Sequence, residues 1–337
     1  MYEKRRILMV SFALLFVCLA PQLTEAATYY VDKSGDDAND CGTAQDTAPE
    51  HAKQSITNAL GCPSPGDTII VRQGTYDEFI STYLLWIPSG TEGHPITLMA
   101  NPGDTVTIDG GSDPRGWDSI VQLTDVHYFV VSGFIIDGLG LANRCVGIEW
   151  PSTGIRVENN EIKGSALNAV LIGATGAELV GNYIHDGGYY AGSYPPYGYG
   201  LYLMSSGNLI EGNEVYNMGG FGMHLYSSTG TLHDNIISDN RIHHNNQAFG
   251  GAGAGILLGG QNNLVSNNLI YDENNGYGIK VDYSDPENNK IVSNTVQNVA
   301  GYCLMIGADS SAQGTILMDN TLDGCGYGPI YPFGTEY

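Results

Sequence analysis

The 337-residue sequence predicts an all-β fold, a parallel β-helix in which short strands stack coil upon coil. Three observations support this prediction. A short phrase recurs from Val131 onward, each copy combines β-branched residues with glycine or asparagine, and no helical periodicity separates the copies. The copies are VSGFII, VENNEI, LVGNYI, IEGNEV, ISDNRI, VSNNLI, IVSNTV and LMDNTL.

One position of this phrase sets the length of the coils. Its successive occupants are Gly133, Asn160, Asn182, Asn213, Asn240, Asn268, Asn294 and Asn320. The intervals of 27, 22, 31, 27, 28, 26 and 26 residues are too short for a propeller blade and suit a β-helix. Like residues of such coils form columns about 4.8 Å apart. We therefore expect each asparagine to turn a corner and to hydrogen-bond its neighbours above and below, a structural role.

Longer phrases carry a family resemblance. NNLVSNNLIYDENNGYGIKV and GNLIEGNEVYNMGGFGMHLY resemble the repeats of right-handed parallel β-helix proteins of the pectin-lyase-like superfamily. The opening TYYVDKSGDDAND, with PGDTIIVRQGTYDEFI and HPITLMANPGDTVTIDG, is similar to the N-terminal coils of secreted members, among them polysaccharide lyases of the chondroitinase B and alginate lyase type. The resemblance implies a right-handed coil. It implies less about activity, since the superfamily also holds hydrolases, epimerases, tailspikes and non-catalytic adhesins.

Residues 1–26 have the layout of a secretory signal peptide. Three basic residues at 4–6 precede an apolar run over 7–20, and small residues suit cleavage after Ala26. The apolar run is short for a membrane span, so no membrane insertion is predicted. We expect a secreted or periplasmic protein.

The remaining chain, residues 27–337, is predicted to form a single β-helix domain. Residues 27–66 would contain a first strand and a cap helix, and residues 67–337 the coils. The helix is placed on PEHAKQSITNAL, residues 49–60, where it would cover the open end of the solenoid. Its apolar face would consist of Ala52, Ile56, Ala59 and Leu60.

The net charge is strongly negative. It is −23 for the whole chain and becomes −24 when residues 1–26, with three basic and two acidic residues, are removed. Such a surface should repel nucleic acid and anionic membranes. It would admit an acidic polysaccharide only with a bridging divalent cation. We therefore expect no nucleic-acid partner, and the sequence leaves the oligomeric state open.

Five cysteines follow residue 26, so at least one thiol stays unpaired. Export permits disulfides, and each expected pair closes a short segment near one end of the fold. No CxxC spacing occurs, which gives a zinc site little support. The expected pairs are Cys41 with Cys62 and Cys303 with Cys325.

Each coil after Cys145 begins with a strand whose aliphatic residues should face the core, so that the residue between them faces solvent. The predicted outward column is Glu149, Leu171, Tyr202, His224, Leu257, Lys280 and Met305. The neighbouring outward column is Pro151, Gly173, Met204, Tyr226, Gly259, Asp282 and Gly307. A third row would form a flat floor: Gly147, Ala169, Gly200, Gly222, Gly255, Gly278 and Cys303.

These columns predict a groove for an extended chain, with backbone below and polar groups alongside. The alternative is that the glycines only make tight corners. The longest coil adds a tyrosine-rich loop, HDGGYYAGSYPPYGYGLYLM at 185–204, which we expect to form a wall that stacks on sugar faces. The alternative is a tyrosine cluster packed on itself. The predicted substrate-binding residues are Tyr189, Tyr190, Tyr194, Tyr197, Tyr199, Tyr226 and Asp282.

Tyr202, His224 and Lys280 are the predicted catalytic residues, because the outward column brings these three titratable groups to one face. They suit β-elimination on a uronic-acid polysaccharide, which needs a base and a positive charge or Ca²⁺ beside the carboxylate. The Lys and Arg pair and the Asn-Gly-Gly-Glu-like stretch of the lyase family have no clear counterpart here. The alternative function is a non-catalytic extracellular or cell-surface protein with a structural or adhesive role.

The sequence assigns no metal site, although Ca²⁺ is the metal it would admit. Asp282 with Asp186 or Asp272 could hold a hard cation through oxygen ligands. A second acidic group could do so too, although such runs more often form turns. That group is Asp32, Asp36, Asp37 and Asp40. Three histidines share a corner column without zinc-ligand spacing. They are His185, His243 and His244, alongside Tyr216, Tyr271 and Gln297.

Overall fold

The computed structural model describes residues 26–82, 85–111, 119–188, 198–228, 232–248, 253–307 and 312–332. Within these ranges 31 strands, each paired in parallel with its neighbours, form three sheets. From the second strand onward each coil gives one strand to sheet A, one to sheet B and one to sheet C in turn. This is the predicted β-helix.

The strands are numbered in chain order and belong to the sheets as follows. Sheet A contains β1 Thr28–Val31, β2 Thr68–Val71, β5 Ile96–Ala100, β8 His127–Ser132, β11 Thr153–Glu158, β14 Glu178–Val180, β17 Leu209–Glu211, β20 Ile236–Ser238, β23 Leu264–Ser266, β26 Lys290–Val292 and β29 Ile316–Met318. Sheet B contains β3 Gly74–Tyr76, β6 Val106–Ile108, β9 Ile135–Asp137, β12 Glu161–Lys163, β15 Tyr183–Gly187, β18 Glu214–Met218, β21 Arg241–His243, β24 Leu269–Tyr271, β27 Thr295–Gln297 and β30 Thr321–Asp323. Sheet C contains β4 Ile80–Ser81, β7 Ser119–Thr124, β10 Arg144–Glu149, β13 Val170–Ile172, β16 Leu201–Leu203, β19 Met223–Leu225, β22 Gly253–Leu258, β25 Gly276–Val281, β28 Tyr302–Ile306 and β31 Gly328–Pro332.

The predicted cap helix over residues 49–60 is wrong in its extent. The segment contains a 3₁₀ turn, Pro49–His51, and one short helix, α1, Ile56–Ala59. Between them Lys53 bridges to Val31 of β1, and this extended pairing interrupts the helix. The four apolar residues predicted for the helix face are nevertheless fully buried. Their spacing therefore identified the buried positions but not the helix length. None of the helices in the described ranges is long and apolar enough to cross a membrane.

The predicted asparagine ladder lies at the corner between sheets A and B. Asn213 Oδ1 accepts hydrogen bonds from the backbone N–H and the Nδ2 of Asn182, at 2.9 and 3.0 Å. The same pair of bonds joins Asn240 to Asn268. Because both groups of each side chain are used inside the corner, these asparagines are structural, as predicted.

A second asparagine ladder lies at the corner between sheets C and A and was not predicted. In the same way, the backbone N–H and the Nδ2 of each member donate hydrogen bonds to the Oδ1 of the member in the next coil. Each stands five residues before a member of the first ladder, and this fixed spacing was the signal available in the sequence. The members are Asn208, Asn235, Asn263 and Asn289.

The structure bonds Cys41 to Cys62 and Cys303 to Cys325, with Cα–Cα distances of 5.4 and 5.5 Å. Cys145 is a buried free thiol whose Sγ lies 3.0 Å from the carbonyl oxygen of Lys163. Burial raises the pKa of the Cys145 thiol far above its ordinary value. Cys145 is therefore a packing residue and not a nucleophile.

Candidate functional site

The strand register of sheet C brings the predicted catalytic residues into one outward row. Tyr202 pairs with His224, His224 with Leu257, and Leu257 with Lys280. The prediction is therefore confirmed for the row order, but it is wrong for the exposure of the row to solvent, because Leu257 and Lys280 are buried. Lys280 lies two strands beyond His224, about 10 Å at the ordinary strand spacing.

The position given to Glu149 in this row is wrong. Leu171 pairs with Gly147, so Gly147 occupies the outward row and Glu149 lies one outward position further along the strand. The error arose because Gly147 has no side chain to mark its direction, and Trp150, which follows the strand, is 77% exposed. The buried neighbours are Val146 and Ile148. The same two-residue shift means that Pro151 does not belong to the neighbouring outward column. It also means that Gly147 does not belong to the predicted glycine floor.

The predicted glycine floor is also wrong. A Cβ added to Gly200 would lie 2.4 Å from Val215 Cγ1, and one added to Gly278 would lie 2.2 Å from Val296 Cγ1. Val215 and Val296 are fully buried core residues of sheet B. These glycines therefore face the interior where sheets B and C meet, and the tight-corner alternative is correct for them.

Aromatic rings surround His224 on the outward face. Its imidazole stacks on Tyr202, with ring centroids 5.1 Å apart and planes 20° apart. It also stacks on Tyr226, with centroids 5.6 Å apart, and Tyr199 meets it edge-on at 4.4 Å. Together with Phe221, whose centroid lies 5.0 Å from His224, these residues form what we call the sheet C cluster.

The tyrosine wall is supported only in part by the described residues. Tyr199 is 7% exposed and packs against Phe221, Ala254 and Leu257, so its position supports the self-packed alternative and not a substrate contact. Tyr226 is half-buried at the edge of the cluster. The other four predicted wall residues lie outside the described ranges. They are Tyr189, Tyr190, Tyr194 and Tyr197.

The protonation of the sheet C cluster follows from its burial. Burial first, and the positive charge of Lys280 second, lower the pKa of His224 to about 3. Burial first, and Tyr226 second, raise the pKa of Tyr202. At neutral pH the imidazole is therefore uncharged and the phenol keeps its proton. The Nδ1 of His224 is buried and has no hydrogen-bond partner among the described residues.

Lys280 carries the positive charge of the row. Its Nζ lies 3.1 Å from Asp282 Oδ2, and both side chains are almost completely buried. The same Nζ lies 4.8 Å from the ring centroid of Tyr283. Asp282 is therefore the counter-ion of Lys280.

The cation sites considered from the sequence are not formed. Asp186 lies in β15 and Asp272 follows β24, both of sheet B, whereas Asp282 follows β25 of sheet C, at the other end of that strand from Asp272. Within the described ranges no group of three or more His, Cys, Asp or Glu side chains could hold a metal ion. The N-terminal acidic residues accept hydrogen bonds from nearby N–H and hydroxyl groups, which is the turn role. They are Asp32, Asp36, Asp37 and Asp40.

A second row of rings lies on the outward face of sheet B, and we call it the sheet B stack. Four rings on consecutive strands have centroids 4.7, 5.1 and 4.6 Å apart and planes within 10°, 5° and 23°. They are His185, Tyr216, His243 and Tyr271. His185 Nδ1 lies 2.8 Å from Asp186, and the two nitrogens of His243 lie within 3.0 Å of His244 and Glu214. Every histidine of this row thus has polar partners.

Glu273 occupies the corner between sheets B and C, and sequence reasoning missed it because no motif marks it. Its carboxylate is fully buried and accepts hydrogen bonds from Asn245 Nδ2 at 2.9 Å and from Asn246 Nδ2 at 2.7 Å. Burial raises the pKa of Glu273 to about 7, because the two amides offset only part of the desolvation.

The three sheets of stacked coils define a parallel β-helix protein, and comparison with known proteins agrees. The sequence matches the family model for the right handed beta helix region over residues 120–244 and 194–336. The protein belongs to this family and has its right-handed parallel β-helix.

Three solved structures illustrate the likeness. Alginate lyase from Paenibacillus sp. str. FPU-7 is 17% identical, with a TM-score of 0.61 over 83% of this chain and 93% of that one. A rhamnogalacturonan lyase is 17% identical, with a TM-score of 0.52 over 88% and 87%. The Dettilon tailspike protein is 17% identical, with a TM-score of 0.54 over 80% and 59%. At such identities the likeness shows the fold. Among curated protein sequences there is no significant match.

Proposed function

We propose that the protein is secreted and carbohydrate-active, and that it binds an extended uronic-acid polysaccharide along sheet C and cleaves it by β-elimination. The observation that carries the proposal is the buried Nδ1 of His224, which has no hydrogen-bond partner among the described residues. A buried ring nitrogen without a partner is costly, and such groups occur where a ligand or a reacting group completes the bonding. The names of the two lyases of this fold support a polysaccharide substrate.

The proposed chemistry assigns one role to each residue of the row. Neutral His224 takes the proton from the carbon next to the carboxylate, and the electrons of that C–H bond form the new double bond. The glycosidic C–O bond on the adjacent carbon breaks, and Tyr202 donates its phenolic proton to the leaving oxygen. Lys280 offsets the charge that builds up on the carboxylate. The raised pKa of Tyr202 and the lowered pKa of His224 keep both groups in the required starting forms.

The direct test is a panel of uronate polysaccharides, alginate and polygalacturonate among them, assayed with and without Ca²⁺. Unsaturated products of β-elimination absorb in the ultraviolet, so cleavage is followed directly. We expect product from at least one polymer, and a requirement for Ca²⁺ because the protein is so acidic. No product from any polymer in either condition would overturn the catalytic part of the proposal. Secretion is tested separately by N-terminal sequencing of exported protein, which should begin at Ala27.

Two observations favour the non-catalytic alternative, in which the solenoid is a surface or adhesive protein. With its pKa lowered to about 3, His224 is a weak base for removing a carbon-bound proton. Lys280 is paired with Asp282, which reduces the charge it can offer to a substrate. This alternative expects no ultraviolet product from any polymer.

A further inference from the structure

A cleft of about 740 Å³ lies at the start of sheet C, away from the sheet C cluster. It opens where strands β4 and β7 end, and part of its wall is Thr82, Leu85, Trp86, Ser89, Thr124 and Asp125. The next coil places Trp150 directly after β10, beside the same edge. The side chain of Trp86 is 75% exposed and that of Trp150 is 77% exposed. The indole ring of Trp86 gives the cleft an apolar surface that water covers at a cost.

The wall of the cleft combines this indole surface with hydroxyl groups. Thr82 Oγ1 accepts a hydrogen bond from Thr124 N–H at 3.2 Å, and Ser89 Oγ accepts one from His127 N–H at 3.1 Å. Each hydroxyl is held in place by the bond it accepts, and with respect to the described residues its own proton stays available for donation to a ligand. An aromatic face with fixed hydroxyl donors suits a sugar ring, which has apolar C–H faces and polar edges.

The charges around the cleft decide which kind of sugar fits. The carboxylate of Asp125 is exposed at the wall, with His127 Nε2 3.6 Å away. In the next coil the carboxylate of Glu149 lies 2.9 Å from its own partner, Arg144. An exposed carboxylate accepts hydrogen bonds from sugar hydroxyls but repels a uronate carboxylate.

We propose that this cleft is a binding subsite for a neutral sugar residue, which stacks on Trp86 while Trp150 contacts the adjoining residue. The strand ends of β7 and β16 are three strand spacings apart, about 14 Å, so one extended glycan can occupy this cleft and reach Tyr202. The claim that one glycan spans both the cleft and the sheet C row rests on the proposed function. The glycan would then be a heteropolysaccharide with neutral sugars beside its uronates.

The test is binding of cellohexaose, xylohexaose and a galacturonate hexamer, each followed by tryptophan fluorescence and calorimetry. We expect a neutral hexamer to bind the wild-type chain and to lose about tenfold or more in affinity in Trp86→Ala. Tyr183→Ala removes an exposed ring from sheet B and should bind as the wild type does. Because Trp86 is mostly exposed, its removal should leave the unfolding midpoint unchanged.

Three results would overturn the proposal: no neutral hexamer binds, Trp86→Ala binds as well as wild type, or only the galacturonate hexamer depends on Trp86. Binding of the neutral hexamers to the wild-type chain separates this proposal from the proposed function, because that binding should occur even if no uronate polymer is cleaved.

Discussion

The outward rows of sheets B and C both stack histidine and tyrosine rings, but they differ in whether the histidine nitrogens have hydrogen-bond partners. In the sheet B stack His243 lies between two tyrosine rings and His185 stacks on one, and their nitrogens meet acidic or imidazole partners. In the sheet C cluster His224 also lies between tyrosine rings, but its Nδ1 has no partner among the described residues. Stacked rings alone therefore do not mark a site. The unmet hydrogen bond distinguishes the row that we assign to ligand binding from the row that stabilises the coil.

The corner between the two rows carries the largest expected effect. The pKa of Glu273 is raised to about 7, so the folded state keeps its proton where the unfolded state has lost it. The resulting stability is present below pH 4.5 and is lost as pH rises to about 7. By linkage the loss is about 3 kcal/mol. Glu273→Gln cannot ionise, so the variant should gain this amount relative to wild type across that interval.

Urea unfolding of both proteins at pH 4.5, 5.5, 6.5 and 7.5 measures this difference. All other titrating groups are shared and cancel in the comparison. A difference in unfolding free energy that stays constant with pH would show that Glu273 ionises normally in the folded protein.

Matched histidine substitutions sharpen the comparison of the two rows. His243→Phe keeps a stacking ring but removes the partner of Glu214 and His244, and should lower the unfolding free energy by about 1–3 kcal/mol. His224→Phe also keeps a ring and removes a buried nitrogen that has no partner within the described part of the chain, so stability should stay equal or rise slightly. Equal losses in the two variants at the same pH would remove the distinction between the rows.

The smallest expected effect is spectroscopic. Because the pKa of His224 is lowered to about 3, its ring signals should not move between pH 8 and pH 5. Ring-labelled protein followed by NMR gives this titration, with His224→Phe supplying the assignment. A His224 midpoint near the ordinary value of about 6.5 would contradict the buried environment described for the ring.

The sequence predicted the neighbours in sheet C wherever large side chains marked the alternation. Leu201 and Leu203 flank Tyr202, and Met223 and Leu225 flank His224, so both outward residues were placed correctly. The prediction failed in β10, where the outward residue is Gly147 and has no side chain to reveal its direction.

Other features depend on long-range packing that no local pattern encodes. Glu273 meets Asn245 and Asn246 only because consecutive coils stack. The cleft beside Trp86 forms because residues of β7 return next to a turn about 40 positions earlier in the chain. The interior direction of Gly200 follows from its contact with sheet B, which strand alternation does not reveal.

The central claim is that sheet C carries the active row and sheet B a structural one. It is tested most directly by the rate of unsaturated product formation from the uronate polymer that the wild-type chain cleaves fastest. We predict that His224→Phe loses about 100-fold or more, the typical contribution of a proton-transfer residue, while folded His243→Phe keeps a rate close to that of wild type. Wild-type rates in His224→Phe, or equal losses in both variants, would contradict the account.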